Sequence, residues 1–106
     1  MKKYYDLFNS LTDINNEFKC KAPDLRDVNI LFAAYEYETY SGNAIVIFNQ
    51  YDKMYMVEGS HCSCYGLENQ WTPIETTKET IEMRLDKGAY YGIFGRYSDE
   101  IRKAIQ

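Results

Sequence analysis

The chain has 106 residues, 45% hydrophobic and 26% charged, which suits one domain spanning residues 1–106 and excludes disorder, a fibrous repeat and a second catalytic domain. Twelve Lys and Arg against sixteen Asp and Glu leave a net charge of −4. That balance argues against direct nucleic-acid binding, which needs clustered positive charge to meet phosphates.

At the start, Met1-Lys2-Lys3-Tyr4-Tyr5-Asp6 carries two lysines but leads into no apolar stretch, so no secretory leader is expected. No apolar run approaches the ~20 residues of a membrane span, so no membrane is expected either. Tyr4, Leu7, Phe8, Leu11, Ile14 and Phe18 recur at steps of three and four, which predicts an amphipathic helix over Lys3–Lys19. Lys21 to Val28, with Pro23 and several charges, reads as a connection. Residues 30–38, 44–50 and 54–59 then read as strands punctuated by Ser41-Gly42-Asn43 and Asp52-Lys53, a three-stranded antiparallel meander. With those turns, Glu36 is expected opposite Ile47 and Ile47 opposite Glu58, while Tyr35, Phe48 and Val57 share the other, apolar face. That face is the natural seat for the first helix.

Gly59 to Pro73 has no clean period and reads as an ordered loop carrying His61, Cys62, Cys64 and Trp71. Thr76 and Glu79 form a capping-box pattern for a short helix through Ile81 and Leu85, stopped at Gly88. Residues 89–97 suggest an edge strand, and Ser98 caps a last helix with Ile101, Ala104 and Ile105 on one side. The expected fold class is therefore α+β: an N-terminal helix packed on a three-stranded antiparallel β-meander in two layers, with two short C-terminal helices.

Ser60-His61-Cys62-Ser63-Cys64 holds soft thiols beside an imidazole, the ligand types of a zinc or copper site, and Cys20 is a further candidate ligand. The second knuckle usual in structural zinc sites is missing, and alternation places His61 and the two cysteines on opposite faces. The same alternation disfavours a Cys–His nucleophile pair oriented by Glu58 or Glu68. No phosphate-loop, dinucleotide, zincin or nucleophile-elbow motif is present. Glu36 and Glu58, two strand spacings or about 10 Å apart in the expected register, stand at or beyond the upper limit for an inverting glycosidase. No cofactor and no enzymatic reaction are expected, and Trp71, Cys62 and Cys64 are read as structural.

Gly59-Ser60-His61-Cys62-Ser63-Cys64-Tyr65-Gly66-Leu67-Glu68, followed by Gln70-Trp71, Pro73 and Glu75-Thr76-Thr77, resembles a motif of small uncharacterised phage and prophage proteins. The likeness extends over about residues 35–80 and brings no reaction or catalytic residue with it. It implies a phage or mobile-element setting in the cytoplasm of a bacterial host, and the odd cysteine count, Cys20, Cys62 and Cys64, also suits a reducing compartment.

Charge is unevenly spread: residues 1–35 sum to 0, residues 36–82 to −6 and residues 83–106 to +2. Such a run can be a solvated face that keeps a small protein soluble. Read functionally, Glu36, Tyr37, Glu38, Tyr40, Glu58, Tyr65 and Glu68 form an acidic, Tyr-bearing surface for a partner. The expected partner is a host protein with a basic nucleic-acid-binding groove, whose inhibition would make this chain an antidefence factor, anti-CRISPR-like among other possibilities. Two alternatives stand beside it. One is a nucleotide- or small-ligand-sequestering module using Arg84, Arg96, Arg102 or Lys103 for a small anionic ligand; the other is a small Cys/His metal-binding protein.

Overall fold

A computed structural model describes residues 2–19, 27–37, 41–62, 66–86 and 95–106. The fold is α+β, with a five-stranded mixed sheet in the order β1-β2-β3-β4-β5 and, among the described residues, three helices. The strands are β1 (Tyr4–Asp6), β2 (Asn29–Tyr37), β3 (Ser41–Gln50), β4 (Lys53–Cys62) and β5 (Ile74–Thr76). The helices are α1 (Leu11–Phe18), α2 (Lys78–Asp86) and α3 (Ser98–Ala104).

The expected meander is the centre of this sheet, as β2, β3 and β4, but β3 and β4 are longer than expected and the meander gains a strand on each side. β1 pairs parallel with β2, and β5 pairs antiparallel with β4. The first addition corrects the helix expected over Lys3–Lys19. Asp6 adopts a left-handed backbone, φ 58°, and Ser10 caps α1 by accepting from the Asp13 N–H at 3.4 Å, so the helix starts only at Leu11. Tyr4 and Tyr5, good strand formers, lie flat along Ala33 and Ala34 instead. Lys19, in the left-handed region at φ 56°, closes α1 and donates its N–H to the Asn15 carbonyl.

The turns also differ from expectation. Ser41-Gly42-Asn43 lies inside β3, where Gly42 and Asn43 pair with Tyr37 and Glu36, and the β3–β4 reversal is Tyr51-Asp52, not Asp52-Lys53. Both Tyr51 and Asp52 have positive φ, 52° and 66°, the signature of the two-residue turn whose twist matches a hairpin. In consequence Glu36 faces Asn43 and Ile47 faces Met56, while Glu58 faces Ile45. The true partners differ from the expected ones by an even number of residues. Since side chains alternate with period two, an even slip changes partners and preserves faces. Tyr35, Phe48 and Val57 do share one face, as the alternation predicts.

Both faces are apolar, which corrects the two-layer expectation to three layers. On one side Ile14 and Phe18 of α1 pack with Phe8, Val46, Phe48 and Val57. On the other, Ile81 and Leu85 of α2 and Ile101 and Ile105 at α3 pack with Ile45 and Ile47. The run Ala44–Phe48 is buried residue by residue because it is the middle of a sheet covered on both sides. A bulge between Ile30 and Phe32 sends Ile30 to the α1 face and Phe32 to the α2–α3 face, which simple alternation would place together.

Thr76 completes β5 rather than capping a helix. The cap is Thr77, whose Oγ1 accepts the Thr80 N–H at 3.1 Å and bonds the Thr80 hydroxyl at 2.9 Å. Tyr97, not Ser98, stands at the start of α3. Residues 95–97 are not a strand; the rest of the edge strand expected over 89–97, and the stop at Gly88, lie outside the described residues.

Candidate functional site

β5 is only three residues long and pairs with β4 over Met54–Met56, so among the described residues no strand lies beside the β4 edge beyond Met56. The next stretch of that edge is closed by one side chain. The Ser60 N–H donates to Gln70 Oε1 at 2.8 Å, and Gln70 Nε2 donates to the Ser60 carbonyl at 2.6 Å and to the Gly66 carbonyl at 2.8 Å. The Gln70 carboxamide thus imitates a peptide unit of a sixth strand. It also pins the loop so that Leu67 is fully buried and Trp71 lies flat on Phe48, centroids 5.5 Å apart at 12°, and edge-on to Phe18.

Between the end of β5 and this staple, the sheet edge and α2 diverge into a cleft of about 500 Å³. That volume lies within the range of small-molecule sites. Met56 and Ile74 supply its apolar surface, and Ile74 is 67% exposed although it is a strand residue. Arg84 reaches in from α2, with Nη1 2.6 Å from Glu58 Oε1 and 4.0 Å from the Met56 sulfur. Glu75 lines the rim and pairs with Lys53 at 3.9 Å. Asn69, Thr72, Thr76 and Thr80 bring neutral donors and acceptors. Thr76 Oγ1 is buried and has no hydrogen-bond partner among the described residues, an arrangement that costs about 1–3 kcal/mol if nothing satisfies it.

Of the residues expected to bind a partner, the three whose side chains are described, Glu36, Glu58 and Glu68, do not share one face. Glu36 and Glu58 lie on the α2–α3 face of the sheet, but each is held by an arginine: Glu36 Oε2 by Arg96 at 3.4 Å, Glu58 by Arg84. Glu36 is largely covered, its side chain 17% exposed. Glu68 belongs to the loop whose Leu67 packs on the opposite face, and it accepts from the Gly66 N–H at 3.4 Å. Tyr37 ends β2 opposite Gly42; its side chain, and all of Glu38, Tyr40 and Tyr65, lie outside the described residues. The carboxylate pair weighed for glycoside cleavage is likewise split, because Glu36 and Glu58 have different arginine partners and no longer flank Ile47.

Arg96 belongs to a second network. Its Nη2 lies 3.2 Å from Asp6 Oδ1, and the Tyr97 hydroxyl donates to Asp6 Oδ2 at 2.7 Å, so β1, β2 and the start of α3 are tied together. Burial, then the Asp6 bond and charge, push the Tyr97 phenol up to about 12. Asp6, with Tyr97 and Glu36, holds the Arg96 guanidinium above its ordinary value.

His61 is buried on the α1 face, its Nδ1 3.0 Å from the Tyr35 hydroxyl and its ring edge-on to Tyr35. The position is carved by Gly42 across the ladder: a Cβ there would strike the Glu36 carbonyl oxygen and lie 2.6 Å from His61 Cε1. Cys62 closes β4 opposite Ser41; its side chain, Cys20 and Cys64 lie outside the described residues. Among the described residues no group of three His, Cys, Asp or Glu side chains is placed to hold a metal ion. None of the described helices is long and apolar enough to cross a membrane.

No family model, curated protein or solved structure matches this chain. Within the Gly59–Thr77 string, however, the structure assigns jobs to particular residues. Gly59 admits Leu67 and Phe18 at 3.1 and 3.2 Å from where its Cβ would be, Gln70 staples the loop, and Trp71 covers Phe48. Arg84 was visible in the sequence as a candidate for a small-ligand site. Met56, Ile74 and Thr76 were not, and the only available signal was Asn69–Thr77 itself, where threonines, Pro73 and one exposed Ile interrupt the aromatic pattern.

Proposed function

We propose that this chain is a non-enzymatic binding protein of the phage-accessory kind and that its site is the Arg84 cleft. The observation that supports this most is the cleft itself: about 500 Å³ bounded by an exposed apolar side chain and convergent polar groups where β5 stops short. The runner-up from the sequence, a small-ligand-sequestering module, therefore becomes the leading reading. A fragment library of mixed charge and aromaticity, followed by amide chemical shifts, tests it. Binding fragments are expected to converge on Met56, Ile74–Thr76 and Arg84, and hits scattered over the surface, or absent, would remove the cleft as the site.

The inhibitor reading, in which an acidic surface occupies a basic groove of a host protein, keeps support from one observation. Glu75 of β5 and Glu79 of α2 are both exposed, and so are Ile74 and Met83 of the same two elements. Its centre is then the β5–α2 edge rather than Glu36. Capture of a basic nucleic-acid-binding protein from host lysate, weakened by salt and by E75K together with E79K, is the expected result; capture indifferent to both changes would sink it.

A further inference from the structure

We infer that the Arg84 cleft takes a neutral small molecule by its primary carboxamide, bonded to the backbone N–H and C=O of Glu58, an inference that rests on the cleft being the ligand site. The backbone comes first. Along a strand, the N–H and C=O of alternate residues point to the same edge. Ser60 turns both groups toward Gln70, and β4 pairs with β3 from Lys53 to Cys62 without a bulge. The backbone groups of Met54, Met56, Glu58 and Ser60 therefore all face the β5 side. Met54 and Met56 are paired there by Thr76 and Ile74, and Ser60 by the Gln70 side chain. Glu58 stands between them, and no described residue hydrogen-bonds its N–H or C=O on that edge. Thr72, which the β4–β5 register would bring opposite Glu58, lies outside β5 and lines the cleft with it instead.

The next rung shows what fits such a gap. The Gln70 carboxamide meets Ser60 with its oxygen on the N–H at 2.8 Å and its nitrogen on the C=O at 2.6 Å. A primary carboxamide carries an acceptor and a donor side by side, the complement of one edge residue. The same group on a ligand matches Glu58, two residues away, whereas a carboxylate, an ester or an amine supplies half of the pair. A molecule that fills the cleft and displaces water from these groups without replacing its bonds loses affinity.

Charge and apolar area set the rest of the ligand. Glu58 is held by Arg84 at 2.6 Å and Glu75 by Lys53 at 3.9 Å, so each described carboxylate lining the cleft has its own cation and these four charges sum to zero. Arg84 is already engaged, and the carboxamide asks nothing of it. This balance favours a neutral ligand over the anionic one that the C-terminal basic residues suggested. Ile74 lies opposite Met56 on the α2 face and is 67% exposed, so an apolar body attached to the carboxamide has a surface to cover.

The test is an amide-shift titration with benzamide, benzoate, methyl benzoate and N,N-dimethylbenzamide, which share a ring and differ in the polar group. Benzamide should shift Glu58, Thr72 and Ile74 saturably and slow the exchange of the Glu58 amide proton with water. The other three should bind roughly tenfold more weakly, because each leaves the Glu58 carbonyl without a donor. Ile74→Ala, at an exposed position, should weaken benzamide about threefold and keep the preference among the four probes. Gln70→Ala uncovers the same pair at Ser60, and benzamide should then shift Ser60 as well. Equal binding of benzamide and methyl benzoate, or Glu58 exchange that benzamide leaves unchanged, would overturn the inference. If benzamide leaves the cleft amides unmoved while other fragments shift them, the carboxamide assignment fails and the cleft stands; if nothing shifts them, both fall.

Discussion

The two faces of the sheet are built by different means. The α1 face is aromatic and sealed: Phe8, Phe18, Tyr35, Phe48 and Trp71 interlock over Val46 and Val57, and the Tyr35–His61 pair is buried with them. The α2–α3 face is aliphatic at its centre and bordered by ion pairs, Glu58–Arg84, Glu36–Arg96 and Asp86–Arg102, which join the sheet or one helix to another. Packing of large rings is insensitive to salt, whereas exposed ion pairs weaken with it. The cleft opens on the second face, where β5 ends early and none of the described residues lining the gap is aromatic. One face therefore carries stability and the other leaves room for function.

The sharpest way to break this comparison is to hollow the sealed face. Phe48 is fully buried, stacked on Tyr55 at 5.6 Å and under Trp71. Phe48→Ala should cost about 3–5 kcal/mol in urea unfolding, and the loss should be the same at low and high salt. A cost below about 1 kcal/mol would mean that the aromatic face does not carry the stability assigned to it.

The Gln70 staple should come next in size. Gln70→Ala leaves the Ser60 and Gly66 backbone groups to find water and should cost about 1–3 kcal/mol, with faster amide exchange confined to residues 60 and 66–71. Gln70→Glu is the more discriminating change. Its carboxylate still accepts from the Ser60 N–H but faces two carbonyls it cannot donate to, so Q70E should be the less stable at neutral pH and recover as acid protonates the new side chain. Equal stability of Q70E and the parent at pH 7 would show that the amide does not act as a strand substitute.

What was legible in the sequence divides along the same line. The faces of β2, β3 and β4 were readable because alternation survives an even slip, so Tyr35, Phe48 and Val57 fell together despite the wrong partners. The turn positions were not, because Ser41-Gly42-Asn43 looks like a turn and is used instead to let His61 pack against a backbone without a Cβ. Tyr4 to Phe18 satisfies helical spacing, yet the Ser10 cap splits it into a strand and a helix; parallel pairing of Tyr4 and Tyr5 with β2 is a non-local choice that local periodicity does not encode. The cleft was least legible, since it arises from where β5 stops. Glu58 and Arg84, 26 positions apart, meet only through the β4–α2 packing.

On the ion-paired face, Tyr97 gives a pH signature. Its phenol donates to Asp6 and is pushed up to about 12, above its unfolded value near 10. The folded state thus holds the proton more tightly than the unfolded one, so this contribution is complete below pH 10 and is lost as pH rises through 12. Tyr97→Phe should cost about 1–2 kcal/mol at pH 8, and the gap between mutant and parent should narrow between pH 10 and 12. A gap that stays constant over that window would show that the hydroxyl does not carry the pH dependence.

The smallest effect expected is at Asp86–Arg102, 2.6 Å apart, where the geometry alone suggests a strong clasp between α2 and α3. Exposure argues otherwise, since the two side chains are 66% and 39% accessible, and pairs in that setting are worth about 0–1 kcal/mol. Asp86 is also the last residue of α2, where a carboxylate meets the negative end of the helix dipole, an unfavourable placement of about 0.3–1 kcal/mol. Arg102, in the last turn of α3, is favourably placed by the same rule and keeps that benefit without its partner. Asp86→Asn therefore loses the pair and relieves the dipole, and its net cost should stay within about 0.5 kcal/mol, with either sign. A double-mutant cycle with Arg102→Leu separates the two effects, because the dipole cancels and only the coupling remains. That coupling should be a few tenths of a kcal/mol at low salt and vanish in 1 M NaCl, where charges are screened within about 3 Å. A coupling above 1 kcal/mol that survives salt would make this pair structural and erase the contrast between a sealed face and a salt-sensitive one.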